Sequence, residues 1–147
     1  MKPYVLSNLR REDVSLCQRI RVLIHLIPDN IDLGKDPEGN PIVLSCHILA
    51  HSMGRILGLN IEDGYFYPNF YHSWVKTRHG QVLDVYPVGI YSPPFLMVPE
   101  VHKFLYLPDI SVFERVINRP HTQKAISMAS NIVLRAAGEI WSEMTQL

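Results

Sequence analysis

Apolar positions recur along the start of the chain at helical spacing. Val14, Cys17, Ile20, Leu23, Ile24 and Ile27 fall on one face of a helix predicted over residues 9–27. Asn8 is its expected N-cap, and Glu12 and Asp13 sit in the first turn, where the helix dipole favours acids. Pro28 stops it, and Arg10, Arg11, Arg19 and Arg21 form its expected solvated face. A loop rich in Asp, Gly, Asn and Pro runs from Asp29 to Pro41. A second helix is expected from about Ser45 to Leu57, with Ile48, Leu49, Met53, Ile56 and Leu57 inward and Gly58 as its stop.

After Gly64 the period changes. Tyr65 to Val75 is dense in aromatics and reads as a strand, Arg78-His79-Gly80 as a tight turn, and Val82 to Tyr86 as a second strand. Residues 87–103 read as a loop bearing Pro and Gly, and Phe104 to Leu107 as a third strand. Ser111-Val112-Phe113-Glu114 has the form of a capping box, opening a short helix that ends before Pro120. His121 to Met144 reads as a long final helix with an apolar stripe at Ala125, Met128, Ala129, Ile132, Val133, Ala136 and Ile140. The order predicts one α+β domain over residues 1–147, with N-terminal helices packed on a small antiparallel sheet and C-terminal helices after it. The chain has no internal repeat, low-complexity segment or linker.

Composition narrows the function. The 147 residues suffice for one sizeable core, and 47% hydrophobic with 19% charged residues is the balance of a globular domain. Lys+Arg and Asp+Glu are both 14, so no basic field points to nucleic acid or to an anionic membrane surface. No apolar run approaches the roughly 20 residues of a transmembrane helix. The first residues lack the apolar core of a signal peptide, so the expected compartment is the cytoplasm, with its thiols reduced. The two cysteines make no disulfide framework, and Cys17, inside the first helical stripe, reads as a small core hydrophobe.

Cys46 is different. It opens the second helix, where unpaired N–H groups and the macrodipole favour a thiolate. His72 and Trp74 are two apart on a strand and share a face. A hairpin with Arg78-His79-Gly80 at its tip sets Trp74 opposite Asp84 and His72 one diagonal step away, roughly 7–8 Å at the backbone. A one-residue slip would turn Asp84 to the other face. Thiol, imidazole and carboxylate are the parts of a nucleophilic triad: the thiolate attacks, the imidazole carries the proton, and the carboxylate fixes the ring. The Cys46 N–H is the first candidate for an oxyanion donor, with Asn40 and Tyr71 as candidate side chains, and Trp74 would shield the pair from water.

Cys46-His47-Ile48-Leu49-Ala50, Ile56-Leu57-Gly58-Leu59, Gly64, His72-Ser73-Trp74-Val75, Gly80 and Leu83-Asp84 together resemble the transglutaminase-like core of the papain-like cysteine-enzyme superfamily. The resemblance covers about residues 41–90, and its His-x-Trp and Leu-Asp hairpin is more specific than its Cys helix. It implies a papain-like, transglutaminase-like fold with Cys46 as nucleophile, His72 as base and Asp84 as orienting acid. It also implies acyl transfer on a peptide or protein amide, with no cofactor and no metal. Two departures stand out: the Cys-to-His spacing of 26 is short for the larger members, and Asp84 is followed by Val85-Tyr86-Pro87 instead of directly by proline.

Other readings share these residues. Taken singly, a cysteine at a helix start is usually buried packing, and a strand His or Asp is usually structural. A non-catalytic binding domain on the same fold is one alternative. Ala50-His51-Ser52-Met53-Gly54 matches a serine-hydrolase elbow, although that motif requires a strand before it and a helix after it. His47 and His51 have the i, i+4 spacing of helical zinc ligands, but Ile48 stands where a metallopeptidase has glutamate. The plainer expectation is that His47 and His51 flank the helix, one packed and one partly exposed, and that His79, His102 and His121 face solvent. The aromatics Tyr65, Phe66, Tyr67, Phe70, Tyr71 and Trp74 fit either a substrate groove beside His72 or core and strand surface, and the loop Tyr91 to Met97 is expected to border the site. Substrate identity and oligomeric state stay open.

Overall fold

The computed structural model describes residues 10–28, 30–86, 95–97 and 104–145. Helix α1 spans Arg11–His25 and α2 spans Cys46–Leu57. Strands β1 (Asn60–Phe66), β2 (Phe70–Lys76), β3 (Val82–Asp84), β4 (Phe95–Met97) and β5 (Tyr106–Pro108) follow. Helix α3 (Ile110–Val112) runs on into a π-helical stretch, Phe113–Ile117, and α4 spans Pro120–Thr145. The five strands form one sheet in the order β4-β3-β2-β1-β5, with antiparallel pairing throughout. The architecture is α+β. Among the described residues no helix is long and apolar enough to cross a membrane.

The helical stripes account for the main core. Cys17, Ile20 and Leu23 of α1, Leu49, Ala50 and Met53 of α2, and Val133, Ala136, Ala137 and Ile140 of α4 meet Val75, Leu83 and Val85 from the sheet. A second cluster joins Ile48, Leu33, Ile117, Ala125, Ile126 and Ala129. The other face of the sheet carries a third, aromatic cluster of Phe66, Trp74, Val82 and Tyr106. Helix α2 is therefore gripped on several sides, which fixes its N-terminus against the sheet.

Several boundaries differ from those predicted. The aromatic stretch from Tyr65 is two strands, because Tyr67-Pro68-Asn69 turns the chain so that Phe66 pairs with Phe70. Asn60 to Gly64, unassigned in the sequence reading, belongs to β1. The expected 87–103 loop contains β4, with Phe95 opposite Asp84. Asp109, rather than Ser111, caps α3: its carboxylate accepts the Ser111 N–H at 2.9 Å. Arg19 lies over the Trp141 ring, 5.8 Å from its centroid, while Arg10, Arg11 and Arg21 are exposed as expected. His79 is not simply solvent-facing, since it pairs at 3.0 Å with Asp13, a buried acid of α1, and so ties the β2–β3 turn to that helix. Asn8, His102 and Tyr91–Pro94 lie outside the described residues.

Gly64 is where the sheet is tightest. A Cβ there would collide with the Leu107 carbonyl oxygen and crowd the backbone of Pro108. Only glycine lets β5 lie this close to β1. Gly64→Ala is expected to force the two strands apart and to lower stability by roughly 2–3 kcal/mol. A urea melt with an unchanged midpoint would contradict this packing.

Candidate active site

Ser45 caps α2 with extended backbone, and its hydroxyl accepts the Ile48 N–H at 3.3 Å. Gly58 ends the helix with φ of 68°, the left-handed conformation that favours glycine. Cys46 is thus the first residue of the helix. Its own N–H has no acceptor within that helix and lies at the positive end of the dipole. The thiol is partly accessible, whereas Cys17 is buried.

The β2–β3 ladder pairs Val75 with Leu83 and Lys76 with Val82. In this register Trp74 falls opposite Asp84, and the diagonal contact closes: His72 Nε2–H donates to Asp84 Oδ2 at 2.7 Å. The Tyr106 hydroxyl donates to the same oxygen at 2.6 Å, and the Tyr86 N–H reaches Oδ1 at 3.1 Å. Asp84 is fully buried and accepts three hydrogen bonds, the environment a buried carboxylate requires. Phe66, Trp74 and Tyr106 surround the His72 ring, with centroids 6.1, 6.0 and 6.1 Å away. Trp74 is itself wholly buried, and its indole N–H donates to Glu62 at 3.2 Å.

With Nε2 held by Asp84, the other ring nitrogen of His72 is left free for the Cys46 thiol, which feels the influence of both His72 and His47. Burial pushes the Cys46 thiol up, but the hydrogen bonds and charge of His47 and His72 outweigh it and bring the thiol down to about 6. Burial likewise disfavours the His72 imidazolium, but Asp84 and the Cys46 thiolate outweigh it and push the ring up to about 9. The structure therefore brings Cys46, His72 and Asp84 together, with the thiol lowered, the imidazole raised and a carboxylate hydrogen-bonded behind the ring.

The candidate substrate-binding residues are split. Trp74 lies beside His72. Tyr71 is on the opposite face of β2, because adjacent strand residues alternate. It packs on Tyr65, with ring centroids 5.3 Å apart, on the face away from the His72 ring. Asn40 is exposed at the end of a tight turn in which Asp36 Oδ1 accepts the N–H groups of Glu38 and Asn40.

The sequence reading passed over Tyr106 and the partners of His47. Tyr106 had been read only as a strand residue, and nothing local announces a contact made 22 residues away. His47 and His51 are both buried, where one was expected to be partly exposed. Their rings are engaged by Ser73 and Asp63 at 2.7 and 2.8 Å, and among the described residues no three metal-ligating side chains are grouped to hold an ion. Ser52 sits inside α2, buried, with its hydroxyl donated to the Leu49 carbonyl at 3.0 Å. The strand–turn–helix of a serine elbow is absent there.

The pH range of the ion pair follows from these shifts. A lowered thiol holds its thiolate above about pH 6, and a raised imidazole holds its proton below about pH 9, so the pair exists between those limits. Iodoacetamide is expected to alkylate Cys46 half-maximally near pH 6. Cys17, pushed up by burial, should stay unlabelled in the folded protein. A Cys46 midpoint at the ordinary thiol value of about 8.5 would contradict the geometry. The chain matches no family model, no curated protein and no solved structure.

Proposed function

We propose that the protein is a thiol-dependent acyl-transfer enzyme acting on amides, with a papain-like, transglutaminase-like arrangement of helix and sheet. One observation carries the reading: a single imidazole is hydrogen-bonded to a buried carboxylate through Nε2, which leaves its other nitrogen for a helix-start thiol that the same ring lowers. The substrate class is a peptide or protein amide, and the chemistry needs a reduced thiol, which suits the cytoplasm.

The Cys46 thiolate attacks the carbonyl carbon, forming a C–S bond, and the carbonyl electron pair moves to oxygen. The unpaired Cys46 N–H, at the positive end of α2, is the donor nearest the developing oxyanion. Collapse of the intermediate breaks the C–N bond, and His72 gives its proton to the departing amine. A thioester and a neutral imidazole remain. Water or a second amine then gives a proton to His72 and attacks the thioester, expelling the thiolate and restoring the ion pair. Asp84 keeps the ring in place throughout. Tyr106 and Tyr86 hold Asp84, so the carboxylate need not move as the ring changes charge.

Incubation with p-nitrophenyl acetate, followed by mass spectrometry, tests this reading. An acetyl group on Cys46 is expected, with release to acetate in water and to an amide when a primary amine is added. His72→Ala is expected to slow turnover by roughly 10²–10⁴-fold. Asp84→Asn, which retains an acceptor for Nε2–H, should be milder. Acetylation that occurs elsewhere, or at Cys46 with no dependence on His72, would sink the proposal.

A further inference from the structure

Helices α1, α2 and α4 leave a groove of about 470 Å³ where they converge. Leu16 and Arg19 line it from α1, Ile56 and Leu57 from the end of α2, and Gly138 and Trp141 from α4. Leu16, Ile56, Leu57 and Trp141 also pack against the main core, so the floor of the groove is continuous with it. A concave apolar site between helices, in this range of volume, is the usual form of a small-molecule pocket.

Two features distinguish the groove from a gap in packing. The first is Gly138. Glycine weakens a helix interior, and Gly138 lies inside the 26-residue α4. Yet a Cβ there would meet no atom of the surrounding fold within 4 Å. Packing does not require glycine at this position, and its missing side chain keeps the groove open. The second is Arg19, the one charged side chain among the described residues that line the groove. Its guanidinium lies over the Trp141 ring, with Cζ 5.8 Å from the ring centroid. Its Nε is buried and donates to no acceptor. Among the described residues no carboxylate forms an ion pair with Arg19. A buried donor of a charged group is costly without an acceptor, and the fold supplies none. The missing partner is an anion that brings apolar surface with it.

We propose that this groove binds a small amphipathic carboxylate, whose hydrocarbon chain lies against Leu16, Ile56, Leu57 and Gly138 and whose carboxylate accepts from the Arg19 guanidinium. The guanidinium presents its N–H groups in a planar fork, which a carboxylate matches with two parallel hydrogen bonds, and the Trp141 ring holds that plane. A compact anion such as phosphate would gain nothing from the apolar walls, and an apolar cation would be repelled by Arg19. The site is separate from the candidate active site. Cys46 opens α2, and the groove lies at the other end of that helix, about 15 Å along its axis. The proposal therefore goes beyond the acyl-transfer reading and does not rest on it.

Isothermal titration with octanoate at pH 7 tests it. One octanoate should bind per chain. Octanol and octyltrimethylammonium, which share its hydrocarbon chain, should bind roughly tenfold more weakly. Arg19→Gln should bring octanoate to the level of octanol. Gly138→Leu fills the groove and should abolish binding, with a thermal midpoint unchanged or raised, since leucine favours a helix over glycine. Should Arg19→Gln loosen the fold by releasing Trp141, Gly138→Leu decides the matter. Octanoate should leave the alkylation of Cys46 by iodoacetamide at its usual rate. No binding at about 10 mM octanoate would overturn the proposal. So would equal affinity for octanol, or full affinity in a folded Arg19→Gln or Gly138→Leu protein. Protection of Cys46 by octanoate would place the ligand at the candidate active site and overturn it too. The acyl-transfer reading stands or falls separately, by acetylation of Cys46 with p-nitrophenyl acetate.

Discussion

Everything at the site depends on the buried hydrogen bond between His72 and Asp84. An ionised carboxylate removed from water is costly unless its lone pairs are occupied. Here they are occupied by three donors from three places: the His72 ring on β2, the Tyr106 hydroxyl on β5 and the Tyr86 N–H just beyond β3. The requirement works backwards through the fold. The β2–β3 register must be the one observed, since a slip of one residue would turn the acid to the opposite face. Strand β5 must reach the sheet so that Tyr106 arrives, and it lies close only because Gly64 has no side chain. The aromatic cluster then closes over the pair and keeps it dry.

The second constraint is the placement of α2. A thiol gains its low pKa from charge and hydrogen bonds, and here these come from His47 and His72. Such a balance tolerates little displacement. Three core clusters border the helix or the sheet beneath it, and the Ser73–Asp63–His51 chain pins its first turn to β1 and β2. Stability and chemistry therefore share the same contacts. A buried polar network of this kind has value only when every member is satisfied, which is the condition met here by His47, Ser73, Asp63 and His51.

Much of this was legible in the sequence where local rules govern. Ser45 and Gly58 bracket α2 because a cap and a left-handed stop are local requirements. The hairpin register could be read because the turn at Arg78-His79-Gly80 is short and leaves few alternatives. The β1–β2 hairpin was missed because β-forming aromatics flank Pro68 and Asn69 on both sides and outweighed the turn signal. Strand β4 was missed because Phe95–Met97 is brief and set among prolines and glycines. Tyr106 could not be assigned to Asp84 without knowing that β5 pairs with β1 on the far edge of the sheet. Ser73 had a role only once the face opposite His72 was known to lie against α2.

The central claim is that His72 is an imidazolium paired with a thiolate at neutral pH. Nitrogen NMR of the protein labelled at histidine, titrated from pH 5 to pH 10, reports this directly through the two ring nitrogens of His72. Both nitrogens are expected to stay protonated through neutrality and to lose the shared proton only near pH 9. Replacing Cys46 with alanine should bring that transition down, because the thiolate is one of the two groups that raise it. A His72 ring already neutral at pH 7 in the unmodified protein, with no response to Cys46→Ala, would contradict the account.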